Sequence, residues 1–122
     1  MDDVKGAVDF LLVQTEIDPD DLVVMGYSFG AGVALHHAAR DLRLRRMVGI
    51  ALVKEHYDDP FLDGDRRGKL FVSGGDDPLA PSKKLRAYVD RLHAPKRLHI
   101  IPGAGHLFSG HVNELTDTVV EW

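Results

Sequence analysis

Apolar positions at Val4, Ala7, Val8, Leu11 and Leu12 follow the i, i+3, i+4 rhythm of a helix buried along one stripe, predicting a helix over 3–14 that ends before Pro19. Unbroken apolar runs then replace that rhythm at 22–25 (LVVM) and 47–53 (MVGIALV), which predicts two strands covered on both faces. Shorter runs at 70–72 (LFV) and 97–101 (RLHII) predict two more, and the interspersed Arg97 and His99 mark the last as an edge. Helical spacing returns between the strands: Ala31, Ala34, Leu35, Ala38 and Ala39 predict a helix with a small-residue face, and Leu85, Tyr88, Val89 and Leu92 predict another beginning near Ser82. Val112, Leu115, Val119 and Trp122 predict a last helix. Residues 54–68, with Pro60, Gly64, Gly68 and a dense charge load, read as a loop too short for a lid. Strands alternating with helices predict an α/β fold, about four parallel strands with helices on both faces, joined by right-handed crossovers. In such folds chemistry gathers at the carboxyl ends of the strands.

Composition narrows the class further. A chain of 122 residues, 44% hydrophobic and 28% charged, suits one globular domain spanning 1–122. Its net charge of -4 argues against nucleic acid as a partner, and Arg40, Arg43, Arg45 and Arg46 read as a solvated helix end. The chain has no cysteine, which removes disulfides and thiol nucleophiles and is compatible with a reducing cytoplasm, the expected location. The start lacks a basic leader, so no signal peptide is expected, and no run approaches the roughly 20 apolar residues of a membrane span. Histidines 36, 37, 56, 93, 99 and 111 lack metal-ligand spacing, and SGGDDP lacks the lysine of a phosphate loop, so neither metal nor cofactor is expected.

The candidate chemistry lies at the predicted strand ends. VVMGYSFGAG, 23–32, takes a strand straight into a helix with Ser28 at the bend and Gly26 and Gly30 on either side. Such a bend forces its apex residue into strained backbone, and glycines two positions away are expected to remove collisions with the strand and helix behind it. The hydroxyl then stands at a helix N-terminus, where developing negative charge is favoured. Asp76 and Asp77 follow the third strand and His106 the fourth, on the same rim. A serine needs a base, histidine serves near neutral pH, and a carboxylate orients the imidazole. Periodicity alone leaves Asp76 and Asp77 both open.

At these residues the chain resembles the α/β-hydrolase superfamily, notably its small lidless bacterial members related to dienelactone hydrolases and acyl-protein thioesterases. VVMGYSFGAGVAL is similar to their nucleophile elbow, LFVSGGDDPLAP to their acid turn, and IIPGAGHLFSG to their histidine loop. The resemblance implies Ser28 as nucleophile, Asp77 rather than Asp76 as the acid, His106 as base, and the amide of Phe29 as one oxyanion donor. It implies hydrolysis of a small-molecule ester or thioester through an acyl-serine, in a cleft lined by Tyr27, Tyr57, Leu79 and Leu107. It covers only the second half of that fold, without the earlier strands and the loop carrying the second oxyanion amide. The strand at 22–25 is then expected at an open edge through which two copies could pair. The alternative is an impaired fragment that binds a partner or itself; a flavodoxin-type binding module is a weaker third reading.

Overall fold

The computed structural model describes residues 2–14 and 18–122. In chain order it contains α1 (Asp2–Leu12), β1 (Val23–Tyr27), α2 (Phe29–Ala38), β2 (Arg46–Ile50), β3 (Gly68–Gly74), α3 (Ser82–Arg91), β4 (Lys96–Ile101) and α4 (Val112–Glu121). Two 3₁₀ turns, Lys54–His56 and Pro60–Leu62, lie between β2 and β3. The strands form one four-stranded parallel sheet in the order β1-β2-β3-β4. Because all four run the same way, their carboxyl ends share one rim. No helix among the described residues is long and apolar enough to cross a membrane.

Alternation along the strands sorts the core into two layers. Met47 and Phe71 face Leu35 and Ala38 of α2 and Leu85, Tyr88 and Val89 of α3, with Val8 of α1 at the margin. Val48, Ile50, Leu70, Val72 and Ile101 face the other way, against Leu115, Val119 and Trp122 around α4. The small residues on α2 let it lie close to the sheet: Ala31, Leu35 and Ala38 are fully buried.

Several elements depart from their sequence reading. β1 lies at the open edge that the resemblance implies, but its run of apolar residues is not covered on both faces as predicted: Val23, Met25 and Tyr27 are exposed by 41%, 56% and 40%. β2 stops at Ile50 rather than residue 53, because Ala51 takes a left-handed φ of 54° that turns the chain, while its N–H still reaches the Val72 carbonyl at 2.8 Å. β3 outruns the expected 70–72 at both ends. Its first turn of sequence is masked by Lys69, whose ammonium is buried and donates to the carbonyls of Asp65 (2.5 Å) and Arg67 (2.7 Å). Burial pushes the Lys69 ammonium below its usual pKa.

Two charges of the 54–68 segment, Asp65 and Arg67, are likewise held in structure, paired at 2.6 Å. Arg67 donates to the carbonyls of Ala38, Leu44 and Asp41 at 2.6, 2.7 and 3.1 Å, tying the segment before β3 to the last residue of α2 and the loop that follows it. Within the arginine cluster, Arg43 pairs with Asp9 and Asp41 at 2.5 and 2.6 Å, and Arg46 lies 4.9 Å from the Trp122 ring centroid. The Arg43 guanidinium holds the Asp41 carboxyl well below the usual carboxylate range.

Candidate active site

The bend between β1 and α2 places Ser28 at φ 55°, ψ −118°, a conformation that non-glycine residues rarely hold without support. Two backbone bonds supply that support: the Ser28 N–H donates to Ile50 O at 2.8 Å, and its carbonyl accepts from Ala31 N at 3.0 Å. Gly26 is required by contact, since a Cβ there would lie 2.2 Å from the Gly30 carbonyl oxygen and 2.7 Å from the Ala31 Cα. Gly30 plays a different part from the one expected. A Cβ at Gly30 would meet nothing within 4 Å, so this glycine relieves no collision and borders open space.

The rim brings the three candidate residues into one hydrogen-bonded line. Ser28 Oγ lies 2.7 Å from His106 Nε2, and His106 Nδ1 lies 2.6 Å from Asp77 Oδ2. The carboxylate can only accept, so Nδ1 carries the proton and Nε2 is free to accept from the serine hydroxyl. Asp77 is 3% exposed, and its other oxygen accepts the amides of Leu79 (2.8 Å) and Ala80 (3.3 Å), which fixes its orientation. Asp76 is exposed, and its own amide donates to Ala104 O at 2.9 Å. The choice left open by periodicity thus falls to Asp77 on geometry.

The acid turn and the histidine loop are laced together by backbone. Gly75 N donates to Ile101 O at 2.8 Å, beside the Asp76 to Ala104 bond. Gly74 makes this approach possible, because a Cβ there would lie 2.3 Å from the Ala104 carbonyl oxygen. Below the loop, Phe108 is buried at φ 55° and anchors it to the layer under α4. Gly74 was not singled out from the sequence, although a glycine pair at the end of a strand signals close backbone approach.

Of the residues expected to line a cleft, Leu79 and Leu107 are 46% and 73% exposed and lie two residues after Asp77 and one after His106 in the chain. Tyr27 has a further task. Its hydroxyl donates to the His106 carbonyl, and its ring lies 5.8 Å from the imidazole, so it braces the loop that carries His106. Burial and the Asp77 charge raise the Tyr27 phenol above its usual pKa, keeping it a donor. Tyr57 corrects the expectation. It is a core residue, stacked on Tyr88 at 5.4 Å with its hydroxyl donating to Leu52 O at 2.7 Å. Phe29 is 78% exposed as the first residue of α2, where an amide precedes the first intrahelical bond and is free to donate.

A hydroxyl, imidazole and carboxylate so connected can move a proton off the serine oxygen and stabilise the resulting cation. Solved structures share the surrounding scaffold. A dienelactone hydrolase from Anabaena variabilis is 27% identical, with a TM-score of 0.82 over 98% of this chain and 56% of its own. A candidate alpha/beta hydrolase of unknown function from Agrobacterium tumefaciens is 29% identical, with a TM-score of 0.83 over 96% of this chain and 55% of its own. An alpha-beta serine hydrolase homologue from Coxiella burnetii has the same fold at 23% identity and a TM-score of 0.81, matching 98% of this chain and 56% of its own. The chain therefore spans just over half the length of these structures, and the sheet is a partial α/β-hydrolase fold. A search of curated proteins finds no match. The dienelactone hydrolase family model matches residues 1–119, nearly the full length, and the chain belongs to that family.

Proposed function

We propose that this chain is a serine hydrolase of carboxylic ester or thioester bonds, working through an acyl-Ser28 intermediate. The observation that carries this reading is the unbroken line from Ser28 Oγ to His106 Nε2 at 2.7 Å and from His106 Nδ1 to Asp77 Oδ2 at 2.6 Å. His106 takes the hydroxyl proton as the oxygen attacks the acyl carbon. The C–O or C–S bond to the leaving group then breaks as the imidazolium returns that proton to it. Water repeats the sequence on the acyl-enzyme, with His106 again as base, and releases the carboxylic acid. Asp77 accepts from Nδ1 and holds the imidazole tautomer. The Phe29 amide, at the positive end of α2, faces the oxyanion; removing one such donor typically costs about 10²–10³ in turnover. The likeness to the Anabaena variabilis dienelactone hydrolase supports ester chemistry over other acyl transfers.

A fluorophosphonate probe tests this directly. The expected result is one adduct per chain, located on Ser28 by peptide mass spectrometry. A folded sample that takes up no label removes the hydrolase reading.

The open edge favours a second reading, self-association. β1 has a free strand edge, and grooves of 260 and 300 Å³ beside it are lined by Val23, Met25, Val119 and Val120. A second copy pairing antiparallel along β1 about a two-fold axis would satisfy both edges with one contact. Sedimentation is expected to show a concentration-dependent dimer that Met25→Lys shifts to monomer. A monomer at all concentrations refutes the pairing.

A further inference from the structure

A cavity of 350 Å³ opens along the seam between α3 and the turn that begins at Lys54. On the α3 side it is lined by Lys84, Ala87, Tyr88 and Arg91, whose helical spacing puts them on one face. The small side chain of Ala87 leaves room between the two cations, whose Cα atoms lie about 10 Å apart along the helix. Lys54, Tyr57 and Asp58 form the opposite wall. That wall is held in place: Lys54 N–H donates to Leu79 O at 3.0 Å, and Arg91 Nη1 donates to Tyr57 O at 3.0 Å. Tyr57 and Tyr88 stack across the seam at 5.4 Å, and the Arg91 guanidinium lies 5.5 Å from the Tyr88 ring centroid. None of these residues belongs to the line from Ser28 to Asp77.

Positive charge converges here with little to answer it. Lys54 and Lys84 are exposed and, among the described residues, their ammonium groups make no ion pair or hydrogen bond. Arg91 meets Asp63 only at 3.7 Å. Asp58 is the one carboxylate in the lining, so three cations face one anion in a chain whose net charge is -4. The wall also holds an uncommitted donor. Tyr88 is 2% exposed, and its hydroxyl has no hydrogen-bond partner among the described residues. Burial pushes the phenol above its usual pKa, which keeps it protonated. Buried hydroxyls are ordinarily paired, and an acceptor carried in by a ligand would satisfy this one.

An excess of two positive charges suits a multiply charged oxyanion better than a single carboxylate, and the two-turn separation of Lys84 and Arg91 suits two linked phosphoryl groups better than one. The volume falls within the range of small-molecule sites and leaves room beyond a bare inorganic anion. We propose that this cavity binds an organic diphosphate, its phosphoryl oxygens meeting Lys54, Lys84 and Arg91 and accepting from the Tyr88 hydroxyl. The site stands apart from the hydrolase reading, and its test uses no turnover.

Amide resonances of the full chain are followed while sodium pyrophosphate, ADP or adenosine is added at constant ionic strength, with sodium chloride as the control. Pyrophosphate and ADP are expected to give saturable shifts centred on 54–58 and 84–91, adenosine none, and the affinity is expected to fall as salt is added. Lys54→Ala and Lys84→Ala, both at exposed positions, are each expected to weaken binding by about fivefold or more, whereas Asp58→Asn, which removes the opposing charge, tightens it by about twofold or more. ADP bound at least as tightly as pyrophosphate upholds an organic carrier; the reverse order overturns the carrier and leaves the free anion as ligand. Shifts that do not saturate, or affinities that none of the three substitutions changes, overturn the site, and neither result bears on the labelling of Ser28.

Discussion

Ser28→Ala and His106→Ala are each expected to lower kcat/KM for an activated ester by at least about 10⁴-fold, with the double variant no worse than either alone. The reason is that the two groups act as one unit. Without the hydroxyl the imidazole has no oxygen to activate, and without the imidazole the hydroxyl keeps its proton near neutral pH. Asp77→Asn belongs to the same series, with a loss near 10⁴, because an amide facing His106 Nδ1 no longer demands the tautomer in which Nε2 accepts. Steady-state kinetics on the three variants, beside circular dichroism for retained fold, check this. A Ser28→Ala variant with a tenth of wild-type activity places the reaction elsewhere. Multiplicative losses in the double variant break the link between the 2.7 Å contact and catalysis.

The second large effect separates two glycines of one motif. Gly26→Ala is expected to reduce fluorophosphonate labelling by about 100-fold or more and to lower stability by about 1–3 kcal/mol. Its new methyl would meet the Gly30 carbonyl carbon at 2.6 Å and the Ala31 Cα at 2.7 Å. Both obstacles are backbone, so no rotamer change relieves them and the start of α2 must move, taking Ser28 with it. Gly30→Ala meets nothing within 4 Å and lies inside a helix, where alanine is the better residue by about 0.5–1 kcal/mol. Thermal unfolding should therefore show Gly26→Ala melting lower and Gly30→Ala at or above wild type. Equal damage at both positions contradicts the packing of the bend.

The contrast shows what the sequence could and could not convey. Among the described residues, periodicity and apolar runs placed each α-helix and strand, though not the two 3₁₀ turns of 54–62, because burial on one stripe or two faces leaves a direct trace in residue order. It set the start of β3 too late, since Lys69 reads as solvent until its ammonium is seen among the Asp65 and Arg67 carbonyls. An apolar run such as LVVM records a strand's composition but not its neighbours, so the exposure of Met25 in β1 contradicts its own pattern. At the site, Ser28, His106 and the pair Asp76 and Asp77 were legible because strand ends converge on one rim, whereas the preference for Asp77 came from the resemblance. The committed hydroxyl of Tyr57 and the close pass of Gly74 against Ala104 were not, because both depend on partners remote in sequence.

The Tyr27 hydroxyl ties positions 79 residues apart. It sits one residue before Ser28 yet grips the main chain of His106, so the register between hydroxyl and imidazole is set by a side chain from the bend as well as by the sheet that carries both loops.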